Sequence, residues 1–144
     1  MAEFNADEMH AFNKLIIDDF RAHNGTVTIE PFANGPIVLL HHVGAKSGVE
    51  RVSPLGYTRD GDDVIIIASK GGSPENPAWY HNLRANPNTT IELGPDTIEV
   101  TAEPLTEGPE RERLFKQMAD QFDNFNEYQR NTDRLIPVVV LHRR

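Results

Sequence analysis

Two short turns put a lysine beside glycines and a serine: Gly44-Ala45-Lys46-Ser47-Gly48 and Ala68-Ser69-Lys70-Gly71-Gly72. Glycine reaches positive φ without strain, so the backbone N–H groups of such a turn can converge on an anion. The lysine adds charge and the serine a hydroxyl donor. Arg51, just past the first turn, can grip a phosphate or carboxylate through two parallel N–H bonds. A hairpin turn with a solvated lysine has the same letters, and either motif alone is weak. Two of them flanking one hairpin weigh more. The first is not a nucleotide P-loop, because the Gly-Lys-Ser/Thr order is missing and no helix follows it. Gly71-Gly72 is expected to let a ligand approach the backbone. After it comes Asn76-Pro77-Ala78-Trp79-Tyr80-His81-Asn82-Leu83. Asn76 reads as an N-cap and Pro77 as the first helical residue, leaving N–H groups for an acceptor. Of Trp79 and Tyr80, one is expected to pack inward and the other to line a cleft, although core is the bland alternative for Trp79. Together these residues suit a phosphorylated, ring-bearing cofactor.

Other chemistries find less support. The chain has no cysteine, which excludes disulfides, thiol nucleophiles and cysteine-bound zinc. No Gly-x-Ser-x-Gly elbow is present. His41 and His42 are adjacent in a strand and point to opposite faces, and His10, His23, His81 and His142 lack ligand spacing, so no metal site is expected. The net charge of −8 argues against nucleic acid. Residues 41–84 nevertheless balance five basic against five acidic side chains. The flanks carry the whole negative excess, and this neutral island can still focus an anionic small ligand.

The elements that must hold these turns are legible from periodicity. Residues 5–23 read as a helix whose Met9, Phe12, Ile16 and Phe20 form one apolar stripe, with Asn5 and Glu8 at capping-box spacing and Asn24-Gly25 as the stop. Its acidic polar face weighs against contact with anionic lipid. Ile37–Val43 and Val49–Tyr57 form a hairpin around the first turn, Asp60-Gly61-Asp62 is a second hairpin turn, and Val64–Ala68 is a buried strand. An inserted helix spans 77–86. Thr90–Leu93 and Ile98–Ala102 form another hairpin across Gly94-Pro95-Asp96. Thr106 is expected to cap a helix over 107–122 that continues into an aromatic stripe of Phe122, Phe125 and Tyr128, and Ile136–Leu141 is a final strand. Consecutive hairpins make an antiparallel sheet of five or six strands, which tends to close into a barrel. One domain, residues 1–144, accommodates all of this. The acidic start lacks a signal-peptide pattern and no run is long enough to span a bilayer, so a cytoplasmic protein is the expectation.

The joint pattern resembles the deazaflavin-dependent nitroreductase family, with its F420H2-dependent quinone reductase-like members, actinobacterial enzymes that use coenzyme F420. The resemblance runs from Ile37 to Leu141. It is carried by the two turns, by Arg51 with Pro54-Leu55, by Asn76–Leu83 with Ala85-Asn86-Pro87, and by Thr132-Asp133-Arg134-Leu135-Ile136-Pro137. It implies an α+β, mostly β fold, an antiparallel split β-barrel like that of FMN-binding proteins over residues 36–144. It implies that Ala45, Lys46 and Ser47 meet the cofactor's phosphate and tail, with Arg51 and Lys70 adding charge. Val52, Ser53, Pro54, Leu55 and Gly56 would run beside the deazaflavin ring, and Ile67, Ala68 and Ser69 would face it from the next strand. Ala78, Trp79, Tyr80, His81 and Asn82 would complete the pocket edge, and Phe125 would approach ring and substrate. The implied reaction is hydride transfer from reduced F420 to a quinone-like or nitroaromatic acceptor, with Ser69 bonding the acceptor and Tyr128 supplying a proton or substrate contact. Family members active on bulky nitro compounds carry tyrosines where this chain has Phe122, Phe125 and Gly56. The lost hydroxyls weigh against nitro-drug reduction and leave cofactor binding and quinone reduction in place. The rival readings are an FMN-dependent oxidoreductase on the same barrel and a non-catalytic carrier of F420 or a lipid-like ligand. A quinone acceptor also leaves open weak peripheral contact at the inner face of the plasma membrane. Oligomeric state is not legible.

Overall fold

The computed structural model describes residues 6–144. The order is α1 (Ala6–Ala22), β1 (Ile37–Val43), β2 (Glu50–Gly56), β3 (Thr58–Asp60), β4 (Asp63–Ile67), a one-turn 3-10 helix (Lys70–Gly72), α2 (Ala78–Ala85), β5 (Asn88–Leu93), β6 (Asp96–Leu105), α3 (Pro109–Gln121), α4 (Asn124–Arg130) and β7 (Val138–Arg143). All seven strands join one antiparallel sheet in the order β2-β1-β5-β6-β7-β4-β3. The expected sheet of five or six strands thus gains β3, separated from β2 by Tyr57 alone. The two edge strands are consecutive in the chain, so the curled sheet returns on itself through one residue. This is the split barrel: closed covalently at the Tyr57 end and open between β2 and β4 at the other. The Tyr57 N–H donates to the Pro36 carbonyl at 3.2 Å and holds the closed end against the start of β1.

Both faces of the central strands are covered, which is why β1 and β4 are nearly continuous apolar runs. Val38, Leu40, Val64, Ile66, Ile91, Val100, Val139 and Leu141 fill the interior with Trp79, Tyr80 and Leu83 of α2. Ile37 and Leu39 turn outward onto Ile16 and Phe20 of α1. Ile65, Ile67, Val138 and Val140 turn outward onto Leu114, Phe115 and Met118 of α3. Burial of each such large side chain contributes about 2 kcal/mol.

The termini of several helices differ from expectation. Asn5, the expected cap of α1, lies outside the described residues. The Asn24-Gly25 stop holds: both take positive φ, and the Gly25 N–H donates to the Phe20 carbonyl at 2.8 Å. Asn76 does not cap α2. Pro77 occupies the cap position without a side-chain bond, and the Asn76 side-chain oxygen instead accepts from Arg134 at 2.7 Å. Thr106 does not cap α3, which begins after Gly108 with Pro109 in its first turn. The helix does not run through the aromatic stripe: Phe122 turns extended (φ −135°, ψ 95°), and α4 starts at Asn124. Asp123 and Asn124 sit at this break, as short polar side chains that compete with helical backbone bonds commonly do. The stripe still assembles, with edge-on ring contacts of 6.2 Å for Phe122–Phe125 and 5.7 Å for Phe125–Tyr128. Among the described residues no helix is long and apolar enough to cross a membrane.

Candidate cofactor site

Strand register places most of the sequence-predicted residues toward one end of the barrel, while Pro54, Leu55 and Gly56 run down β2 to the closed end, where Gly56 pairs with Ile37. Val43 pairs with Glu50, Asn88 with Thr101, Leu105 with Val138 and Val138 with Ile67. The first turn, the start of β2, the end of β4 and the loop after it therefore share the open end, and α2 plugs it from inside. A cavity of about 340 Å³, lined by Tyr57, Arg59, Gly94, Asp96 and Arg143 among others, lies at the closed end and contains none of them.

The first turn is braced from within. The Gly44 N–H donates to the Val49 carbonyl at 2.9 Å, the Gly48 N–H to the Gly44 carbonyl at 2.9 Å, and the Ala45 N–H to Asn82 Oδ1 at 2.9 Å. Val49 N–H reaches Ser47 Oγ at 3.2 Å. Gly48, at φ 70°, supplies the left-handed corner that this tight loop needs. The N–H groups of Lys46 and Ser47 have no acceptor among the described residues. The expected nest of successive donors is thus narrower than the motif implies. Lys46 and Arg51 are exposed, and neither has a carboxylate partner among the described residues. Lys70 differs, lying 3.6 Å from Glu75.

Alternation divides β2. Arg51, Ser53 and Leu55 share the face of His42, Leu40 and Val38, their cross-strand neighbours, and Leu55 packs on the interior cluster. Val52 turns the other way, onto the cluster beneath α1, and Pro54 and Gly56 share its face. The run Val52–Gly56 therefore turns Ser53 and Leu55 to one face and Val52, Pro54 and Gly56 to the other.

On α2 the sequence expectation needs correction. Trp79 and Tyr80 are both buried, at 7% and 2% exposure, so neither spreads its ring along an open cleft. The helix must plug the barrel, and Leu83 alone is too small to do so. Ala78 and His81 are the exposed members, and Asn82 is buried. Asn82 Nδ2 lies 2.9 Å from His42 Nδ1, and His42 Nε2 lies 2.9 Å from Ser53 Oγ. Burial, with the nearby charges of Arg51 and His41, pushes the His42 imidazole down to about 4. It is neutral at ordinary pH. His41 takes the opposite face from His42, as expected of strand neighbours, and lies between Glu50 (3.2 Å) and Glu92 (2.7 Å).

The second turn is less open than two glycines imply. Gly71 has space around it, but a side chain at Gly72 would sit 2.7 Å from the Tyr128 carbonyl oxygen. Gly72 is there to admit the α4 backbone, so ligand approach is left to the Gly71 side. The loop is pinned from below by Arg134, missed as a functional residue in the sequence. Its guanidinium donates to the carbonyls of Ser69 (2.8 Å), Ser73 (2.9 Å) and Ala68 (3.2 Å) as well as to Asn76. Ile67, Phe125 and Tyr128 come together in the cluster beneath α3 and α4, whereas Ala68 belongs to the interior. Ser69 is largely buried at the start of the 3-10 turn. The Tyr128 hydroxyl accepts from Asn124 Nδ2 at 2.9 Å, so its own proton is available to another acceptor.

Comparisons with known proteins bear on this arrangement. The model of the F420H(2)-dependent quinone reductase family matches residues 14–143. The chain is 44% identical over 127 residues to an F420H(2)-dependent quinone reductase of Mycobacterium tuberculosis (strain H37Rv), covering 87% of this chain and 85% of that protein. A solved F420-H2 dependent reductase (FDR-A) superposes with a TM-score of 0.68 at 42% identity, over 74% of this chain and 94% of that one. A second solved structure, described as a domain-swapped dimer, gives 0.70 at 34% identity, over 96% and 100%. The chain belongs to the F420H(2)-dependent quinone reductase family.

Proposed function

We propose that this chain binds coenzyme F420 at the open end of the barrel and acts as an oxidoreductase that reduces a quinone-like acceptor there. The observation that carries the binding reading is the pairing of two cations without a carboxylate partner among the described residues, Lys46 and Arg51, with two backbone donors without an acceptor among them, Lys46 N–H and Ser47 N–H, around one braced turn. That donor set fits a phosphate and its anionic tail. When bound, the reduced deazaflavin supplies a hydride, since carbon stands where a flavin's reactive nitrogen would be.

The chain's own work is positioning and protection. Arg51 and Lys46 hold charge in place, while Ser53 and Leu55 of β2 and the β4 end at Ile67–Ser69 border the space between the split edges. The buried plug of Trp79, Tyr80 and Leu83 keeps water from reaching that space through the barrel, which strengthens electrostatic contacts within it. Lys70, partly neutralised by Glu75, adds less charge than Lys46. Ser69 is assigned to the acceptor and Tyr128 to proton supply, with its hydroxyl oriented by Asn124. The reading places the protein in the cytoplasm, taking its acceptor from the inner face of the membrane.

Anaerobic mixing of the chain with reduced F420 and menadione tests the reading. Menadione-dependent recovery of oxidised F420 absorbance, with rate proportional to protein, is the expected result. Binding of reduced F420 without turnover across several quinones would instead indicate a carrier.

A further inference from the structure

The orientation of one buried hydrogen-bond chain can be read without ambiguity, because its first member is a backbone N–H. The Ala45 N–H can only donate, so the Asn82 atom 2.9 Å from it is the carbonyl oxygen Oδ1. The Asn82 amide nitrogen is then the atom 2.9 Å from His42 Nδ1, and an amide nitrogen can only donate. His42 Nδ1 therefore carries no proton. The ring is neutral, so its proton is on Nε2, and Nε2–H donates to Ser53 Oγ, 2.9 Å away. Ser53 Oγ is an acceptor in this bond, and its own proton must point elsewhere. No acceptor for it is found among the described residues. Ser53 is half-buried on edge strand β2, on the face it shares with Arg51 and Leu55.

We infer that Asn82 and His42 are positioning residues that fix the Ser53 hydroxyl as a hydrogen-bond donor toward an acceptor oxygen of the bound deazaflavin. The inference rests on the proposed cofactor and adds a polarity to its site. With one lone pair of Oγ taken up by His42, the Ser53 proton is left free to donate, and an oxygen acceptor of the cofactor is the matched group. The same Asn82 side chain holds Ala45, so the turn that carries Lys46 and the strand that carries Ser53 are set by one residue. In the sequence these members stand apart, at 42, 45, 53 and 82, and only the antiparallel pairing of β1 with β2 and the insertion of α2 unite them.

The test has two arms. In the first, the chain without cofactor is labelled with 15N-histidine, and long-range 1H–15N correlation is recorded at pH 7. The expected His42 pattern is a neutral ring protonated on Nε2. A ring protonated on Nδ1, or an imidazolium, overturns the inference whether or not F420 binds. In the second, F420 fluorescence titrations compare wild type with Ser53→Ala and Ser53→Thr, each checked for an unchanged thermal transition. Ser53→Ala is expected to weaken binding about tenfold, the worth of one hydrogen bond of this kind, and Ser53→Thr to restore it to within about threefold. Equal affinity of wild type and Ser53→Ala overturns the inference while leaving the cofactor reading intact. A wild-type chain that binds no F420 overturns that reading, and the Ser53 assignment with it.

Discussion

Arg134 donates to the Ser69 carbonyl at 2.8 Å and thereby ties the segment before β7 to the loop after β4. Ser73, Ala68 and Asn76 complete its set of acceptors. Removing the guanidinium leaves these part-buried acceptors without their donor. Arg134→Met, which keeps much of the stem, is expected to lower stability by about 3 kcal/mol in urea unfolding. A loss below about 0.5 kcal/mol would show that water substitutes for the clamp.

The two adjacent glycines of the second turn separate conformational from steric cost. Both take positive φ, 64° at Gly71 and 83° at Gly72. Gly71→Ala pays only the backbone term, about 1 kcal/mol. Gly72→Ala also drives a methyl against the Tyr128 carbonyl, and α4 has to move, so a loss of about 3 kcal/mol is expected. Equal losses in thermal or urea denaturation would contradict the close approach of α4.

His42 should leave a signature in the pH dependence of stability. Its folded value is about 4 against 6.5 in the unfolded chain. Between these values the unfolded chain holds a proton that the native state does not, so stability rises with pH. The contribution is complete above about 6.5 and is lost as pH falls toward 4. His142 has the opposite sign: its bond to Glu103, and Asp63 beside it, raise its value. Its contribution is complete below about 6.5 and fades as pH rises through the raised value. The lowered carboxylates of Asp19, Asp60, Glu92 and Glu110 act only at the acid end. His42→Leu should therefore flatten the stability profile between pH 4 and 6.5 relative to wild type. Parallel profiles in that window would contradict a buried neutral ring.

Tyr128 offers a kinetic test. Its hydroxyl accepts from Asn124 and keeps a proton to give. Tyr128→Phe is expected to lower menadione turnover about tenfold to a hundredfold, with F420 affinity within about twofold of wild type. Weakened F420 binding with unchanged turnover would move Tyr128 from proton supply to cofactor contact.

How much of this could be read from the chain depends on where each partner lies. The strands were legible because β-branched apolar runs such as Val64–Ile67 permit little else, and Gly61 and Gly94 mark their turns. The family was legible through contiguous motifs. Tyr57 gave no sign that two edge strands meet through it, since closure depends on the curl of five other strands. The break at Phe122 was hidden because Phe122, Phe125 and Tyr128 keep a spacing of three across it. Arg134 was quoted as part of a motif, yet its partners are mainly backbone carbonyls, which carry no letter in a sequence. His42 was weighed only as a metal ligand, because Asn82, the residue that orients it, reads in isolation as one polar position on a short helix. Gly72 looked like freedom for a ligand and is space for α4.

The central claim is that Lys46 of the first turn and Arg51 at the start of β2 hold F420. Its most direct test is a fluorescence titration of F420 into wild type and into the double variant Lys46→Ala, Arg51→Ala, with FMN titrated in parallel. Saturable binding of F420 by wild type, in preference to FMN, and at least about tenfold weaker binding by a variant of unchanged fold is the expected result. Tight FMN binding without F420 binding, or equal F420 affinity in the folded double variant, would contradict it.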